Sequence, residues 1–151
     1  MIIIKKIETI EEITRLSNEL LSVDKKYNSF FNPFEFDKEN LISLVLSSKL
    51  DYYFLMIYNH KIVGFFMIRG FDEGFDIPSY GVWIHPDYNN KGLAKLSLSY
   101  TISLLKLKSK NKVMLKVHPS NLAAKKIYES SGFYLSHTDE KNKNLVYYRE
   151  L

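Results

Sequence analysis

The sequence predicts a single α/β domain built on a mixed sheet, with elements in the order β-α-α-β-β-β-α-β-α-β-β. Three observations lead there. The chain has 151 residues, the usual size of one domain, and is 46% hydrophobic and 15% aromatic, enough for a substantial core. No Pro/Gly/Ser-rich linker or internal repeat divides it, so residues 1–151 are read as one unit. Short runs of strand character alternate with longer runs of helical period, which is the signature of strands and helices packed in layers.

The elements follow in order. Ile2 to Ile7 reads as a short strand. Thr9 with Glu12 forms a capping box, so a helix is expected from Ile10 to about Leu21, with Ile10, Ile13, Leu16, Leu20 and Leu21 on one helical spacing. Residues 23 to 36 form a loop around Pro33 whose aromatics Tyr27, Phe30, Phe31, Phe34 and Phe36 either pack it down or line a functional surface. Asp37 caps a second helix through about Ser48. Asp51 to Tyr58 and Lys61 to Arg69 are paired strands about an Asn59-His60 turn. A loop holding Gly70, Gly74 and Pro78 leads to a fourth strand, Tyr80 to Ile84. Val113 to Val117 is a fifth, and Phe133 to Asp139 with Asn144 to Glu150 a closing hairpin.

Leu93 to Leu107 carries two competing patterns. Leu96, Leu98, Tyr100, Ile102 and Leu104 alternate with Ser97, Ser99, Thr101 and Ser103, which argues for a strand. The stretch nevertheless lacks Gly and Pro over more residues than most strands contain. Leu93, Leu96, Tyr100, Leu104 and Leu107 also make a helical stripe, and Leu98, Ile102 and Leu105 a second. It is read as a helix with two buried sides.

Composition removes several functions. With 0 cysteines there is no disulfide framework, thiolate metal site or cysteine nucleophile. The 4 histidines are scattered without a His-x-x-x-His pair, so no metal is expected. Neither a Walker-type phosphate loop nor a Gly-x-Gly-x-x-Gly run occurs. The net charge of +4 comes from lysines spread along the chain, densest at Lys106, Lys108, Lys110 and Lys112 by a helix end. That is a mildly basic surface suited to an anionic small molecule, and nucleic acid is not expected as a partner. The apolar start, Met1 to Ile4, is too short for a signal peptide and no stretch is long enough to span a membrane. A cytoplasmic protein without membrane partners is the expectation.

Two motifs carry chemistry. Asn89-Asn90-Lys91-Gly92-Leu93-Ala94 follows a strand ending Ile84-His85-Pro86 and opens the long helix. Main-chain N–H groups at such a turn point outward, and the helix dipole adds partial positive charge, which together suit a phosphate or pyrophosphate. About thirty residues on, Asn121, Ala124, Tyr128, Gly132 and Phe133 are spaced as Asn-x-x-Ala-x-x-x-Tyr-x-x-x-Gly-Phe. Together these stretches resemble the GNAT family of acyl-CoA-dependent N-acetyltransferases, most strongly over residues 80 to 133. Gly92 and Ala94 match the family's Gln/Arg-x-x-Gly-x-Gly/Ala turn, while Asn89 stands where Gln or Arg is usual.

The resemblance implies a sheet of about seven strands with helices on both faces, its fourth and fifth strands splayed to admit acetyl-CoA. It implies that Asn90, Lys91, Gly92, Leu93 and Ala94 contact the pyrophosphate, with Asn89 also among the cofactor-binding residues, and that Ile84, Asn121 and Ala124 lie along the pantetheine arm. Tyr128, about two helical turns beyond Asn121, becomes the general acid for the departing thiolate. The family's strand glutamate is missing, since Pro78 occupies the nearest matching position. His118, His85 and Asp76 are the side chains considered as base, alongside ordered water. Phe31, Phe34, Glu73 and Tyr80 are expected to line the acceptor site, with Asp72, Glu73 and Asp76 attracting an ammonium group. The expected reaction is direct acetyl transfer to a primary amine of a small molecule. A non-catalytic acyl-CoA-binding module and a protein or peptide N-acetyltransferase are the alternatives. Tyr147 and Tyr148, read as exposed, would support a homodimer.

Overall fold

The two longest central strands show how the layers are made. In the computed structural model, which describes residues 1–151, β2 (Tyr52–Tyr58) and β3 (Lys61–Arg69) pair antiparallel. Their side chains alternate between the two faces of the sheet. Phe54, Met56, Phe66 and Ile68 enter one apolar core; Tyr53, Leu55, Phe65 and Met67 enter another. Both faces are apolar, so both must be covered.

The remaining elements supply the covering. They are β1 (Ile2–Lys6), α1 (Ile10–Ser22), α2 (Lys38–Ser47), β4 (Ser79–Ile84), α3 (Leu93–Leu107), β5 (Lys112–Val117), α4 (Leu122–Ser130), β6 (Tyr134–Thr138) and β7 (Leu145–Glu150), with short 3₁₀ turns at Tyr27–Phe30 and Pro86–Tyr88. The seven-stranded sheet runs β1-β2-β3-β4-β5-β7-β6, and β4–β5 is its parallel pair. Ile13, Leu16 and Leu20 of α1 and Leu41 and Val45 of α2 fill one core, while Leu98 and Leu105 of α3 and Tyr128 of α4 fill the other. Thr9 and Glu12 form the expected capping box on α1.

The long helix resolves the conflict in its pattern. Its buried residues are Ser97, Leu98, Thr101 and Leu105. Of the first expected stripe, Leu96 and Tyr100 are partly open and Leu107 is 83% exposed. The serines and threonines that mimic a strand alternation are tolerated inside because their hydroxyls are used. Ser97 Oγ donates to the Ala94 carbonyl and Thr101 Oγ1 to the Ser97 carbonyl. Tyr80, expected to line the acceptor site, is instead a core residue of β4 whose hydroxyl shares a 2.6 Å bond with Ser97 Oγ.

Two further expectations are corrected. Tyr147 is 1% exposed and donates its hydroxyl to Glu129 at 2.7 Å, so it supports α4 from within and offers nothing to a dimer. Asp72 caps a turn rather than facing a ligand: Ser48 Oγ and the N–H groups of Lys49, Leu50 and Asp51 all donate to its carboxylate.

The Tyr80–Ser97 bond joins β4 to α3 inside the core. Ser97→Ala is expected to lower stability by about 1–3 kcal/mol in urea unfolding, because it leaves a buried hydroxyl without its partner. The double variant with Tyr80→Phe should lose less than the two single losses added together; strict additivity would mean the bond contributes nothing.

Candidate active site

β4 and β5 meet at one bridge, Ser79 with Met114, where the Met114 N–H donates to the Pro78 carbonyl at 2.9 Å. Beyond it the strands diverge. On its other side β4 stays fully paired to β3, and β5 to β7. The Pro78 and Ile84 carbonyls both point toward the β5 side, so the even-numbered residues of β4 turn their backbone that way. Val82 and Ile84 therefore present main-chain groups to a gap with no strand opposite. A ligand carrying amides can satisfy such groups.

The gap widens toward the start of α3. None of the N–H groups from Asn90 to Lys95 donates to a protein acceptor, and α3 has no side-chain cap. Asn90 has φ 60° and Gly92 φ 81°, so the turn folds outward in the left-handed region. At Gly92 a Cβ would meet nothing within 4 Å; the glycine is needed for its backbone conformation and not for space. Lys91 adds an exposed cation. Unpaired N–H groups, the dipole of a fifteen-residue helix and a lysine make this turn an electropositive concavity suited to an anion.

The second motif borders the same gap. Asn121 Oδ1 accepts the Ala124 N–H at 3.2 Å and caps α4, which leaves the amide N–H groups of Asn121 free. Tyr128 lies two turns on, packed edge-on against Tyr80 and tilted against Phe133. Its hydroxyl makes no hydrogen bond to protein yet stays open to solvent, and burial of the ring pushes its pKa up to about 12. Gly132, at φ 90°, ends α4; its N–H and that of Phe133 donate to the Glu129 and Tyr128 carbonyls. The Gly-Phe pair thus holds Tyr128 in position.

The 3₁₀ turn Tyr27–Phe30 spans the mouth of the gap. The Tyr27 hydroxyl lies 2.6 Å from the Ile84 carbonyl and 3.0 Å from Asn89 Oδ1, and its single proton serves the shorter contact. At the other end Phe30 packs on His118, the rings 5.0 Å apart. Asn89, the departure from the family pattern, thus sits against the aromatic loop, its Oδ1 3.0 Å from the Tyr27 hydroxyl.

On the α1–α2 face, Phe31 reaches to 3.7 Å from where a Cβ on Gly81 would sit, and Phe34 lies beneath the Arg69 guanidinium at 5.2 Å. Glu73 borders the same cavity as Arg69. Arg69 itself carried no motif; only its position at the end of a strand facing the aromatic loop could have marked it.

The residues considered as base are not gathered here. Asp76 lies beside Ser109, Lys110 and Lys112, at the closed end of the β4–β5 pair and away from the opening. His85 Nδ1 accepts the Asp87 N–H and His118 Nδ1 accepts the Ser120 N–H. A neutral imidazole has one acceptor nitrogen, and in both rings it is already used.

The comparisons with known proteins agree with this geometry. The sequence profile of the acetyltransferase (GNAT) family matches residues 12–133. Comparison with curated proteins by sequence gives no match. Among solved structures, the PaiA N-acetyltransferase of Thermoplasma acidophilum in complex with coenzyme A superposes with a TM-score of 0.82 at 17% identity, covering 100% of this chain and 99% of that one. A GNAT-family acetyltransferase of Staphylococcus aureus Mu50 gives 0.77 at 23% identity over 100% and 99%. The ribosomal-protein-S18-alanine N-acetyltransferase of Escherichia coli gives 0.74 at 19% identity over 99% and 94%.

Burial of the site has a consequence in alkali. It pushes Tyr128, Tyr53 and Tyr147 each up to about 12, with the Glu129 hydrogen bond adding to the rise at Tyr147. An unfolded tyrosine titrates near 10, so the folded chain holds these protons more tightly. Their contribution to stability is complete below about pH 10 and is lost as pH rises through about 12. Urea midpoints followed across that window, alongside tyrosinate absorbance, should fall; a flat profile would contradict the burial.

Proposed function

The chain belongs to the acetyltransferase (GNAT) family, and on that premise we propose that it moves an acetyl group from acetyl-CoA to a primary amine of a small molecule, directly, with both substrates bound together. The observation that carries this reading is the break after the single β4–β5 bridge, bordered by unpaired N–H groups at one end and the open Tyr128 hydroxyl at the side. The N–H groups of Asn90 to Ala94, with Lys91, would hold the pyrophosphate. Val82, Ile84 and the Asn121 amide would meet the pantetheine arm, and small Ala124 allows its close approach. Ile84 has a free N–H toward the gap, while its carbonyl is engaged by Tyr27.

Acetyl-CoA supplies an activated carbonyl and a thiolate leaving group. The amine lone pair forms the C–N bond as the C–S bond breaks, and the sulfur leaves with the bonding pair. An ammonium acceptor gives one proton to solvent beforehand, and the amine loses a second on acylation, which balances the thiol formed. Tyr128 faces the sulfur as a hydrogen-bond donor. Its pKa of about 12 makes it a weaker acid than a thiol. With a thiol near 8.5, complete transfer of its proton is uphill by about 5 kcal/mol. The phenol therefore stabilises developing negative charge on sulfur, and the amine's own proton ends there. With both imidazole acceptor nitrogens occupied, water removes the first proton, and acceptor amines of low pKa are favoured. Ribosomal-protein alanine acetyltransferases share the fold, so a peptide amine is the second reading.

Thermal unfolding and thiol release test this together. Acetyl-CoA at a hundred times its dissociation constant should stabilise the chain by about 2.7 kcal/mol. Release of free thiol with some member of an amine panel then distinguishes an enzyme from a module that only binds. Tyr128→Phe should keep acetyl-CoA affinity and lower kcat about 10–100-fold, the range for a lost hydrogen bond to a charged group. His85→Gln and His118→Gln should leave kcat within about threefold; a loss near the 10²–10⁴ typical of a general base would restore that histidine to the role.

A further inference from the structure

A cavity of about 370 Å³ opens on the α1–α2 face, beside the end of β3 and the closed end of the β4–β5 gap. Arg69 and Tyr53 point into it. Arg69 pairs across the sheet with Ser79, the β4 residue that meets β5, so the cavity adjoins the apex of the gap. Its guanidinium lies over the Phe34 ring at 5.2 Å, makes no ion pair, and has the Tyr53 hydroxyl as its polar neighbour, which leaves most of its fork of donors open. Tyr53 is 3% exposed, and its hydroxyl reaches the cavity beside the Arg69 guanidinium, with the Asp51 and Asp72 carboxylates farther along the same wall.

The acids at the cavity edge do not consume Arg69. Both oxygens of Asp72 accept hydrogen bonds from the Ser48–Asp51 turn, and Asp51 Oδ1 accepts the Asp72 N–H. Glu73 is exposed at the rim, and Lys49 is on the same border. What faces inward is a planar cation held flat by an aromatic ring and a buried phenol. A fork of N–H donors beside a hydroxyl matches a carboxylate.

We propose that Arg69 and Tyr53 form an oxyanion subsite of the acceptor pocket, and that the acceptor is an amine that also bears a carboxylate, such as an amino acid or short peptide. This rests on the acetyltransferase reading. It reverses the sequence-based expectation that acidic residues of this loop attract an ammonium group. For a peptide acceptor it also fits the lack of a side-chain base: the α-amine of a peptide N-terminus titrates near 7.7–8.0, well below a lysine amine, so water suffices to deprotonate it.

The test pairs amino acids and dipeptides with their C-terminal amides, and phosphoethanolamine with ethanolamine. Binding is read on the Arg69 Nε–H resonance by NMR, and acetyl transfer by thiol release. The carboxylates are expected to shift the Arg69 resonance saturably and their amides not to; kcat/KM should favour the carboxylate about tenfold or more. Arg69→Gln should abolish that preference through KM while acetyl-CoA affinity is retained, and Arg69→Lys should restore part of it. Phosphoethanolamine shifting the resonance in place of every carboxylate would overturn the carboxylate assignment. An unmoved resonance with all anions, or a preference that survives in Arg69→Gln, would overturn the subsite. Saturable shifts without thiol release from any amine would uphold the anion site and overturn acetyl transfer.

Discussion

The sheet interrupts its own hydrogen-bond ladder between β4 and β5, and the rest of the molecule is arranged around that interruption. Each strand is fully paired on its other side, β4 to β3 and β5 to β7, so neither depends on the missing contacts to keep its place. The single bridge at Ser79 and Met114 fixes the apex, and the crossover through α3 makes the pair parallel. Open backbone groups inside a protein are unfavourable unless something meets them. Here they lie in a cleft whose wide end is the uncapped start of α3. A long molecule with amides along its length and phosphates at one end answers both needs.

The two faces of the sheet take different parts in this arrangement. On the α3–α4 face the core is tied to the gap by Tyr80, Ser97 and Tyr128, which keeps a phenol with a free hydroxyl beside the opening. On the α1–α2 face a layer of phenylalanines, Phe31, Phe34, Phe36 and Phe65, carries the loop that spans the mouth. Tyr27 and Phe30 fasten that loop to the ends of β4 and β5. Asn89, just before the uncapped start of α3, lies against the same loop, 3.0 Å from the Tyr27 hydroxyl.

Much of this was legible in the residues. The capping box at Thr9, the hairpin at Asn59-His60 and the caps at Asp37 and Asn121 are local, and local signals survive folding. The long helix was legible by length, and so was its Leu98 and Leu105 stripe, but the burial of Ser97 and Thr101 beside it was not. Ser97 and Thr101 are inside because each donates to a carbonyl about one turn back and Ser97 Oγ accepts from the Tyr80 hydroxyl, and that last bond depends on a neighbour in β4. Tyr147 looked like a surface aromatic because its partner Glu129 belongs to another element. The roles of Asp72 and of both histidines were hidden for the same reason: each is used by backbone N–H groups that only the folded turns bring near. Arg69 left no trace in any motif, since what distinguishes it is that the acids on its cavity are used by neighbouring turns and form no ion pair with it.

The central claim is that the main chain around the β4–β5 opening receives the pantetheine and pyrophosphate of a coenzyme. Backbone amide resonances recorded during titration with coenzyme A test it most directly. The amides of Asn90 to Lys95, with Val82 and Ile84, should shift together and saturate at a common ligand concentration. Saturation with those amides unmoved and another surface perturbed, or no saturation in a folded sample, would contradict it.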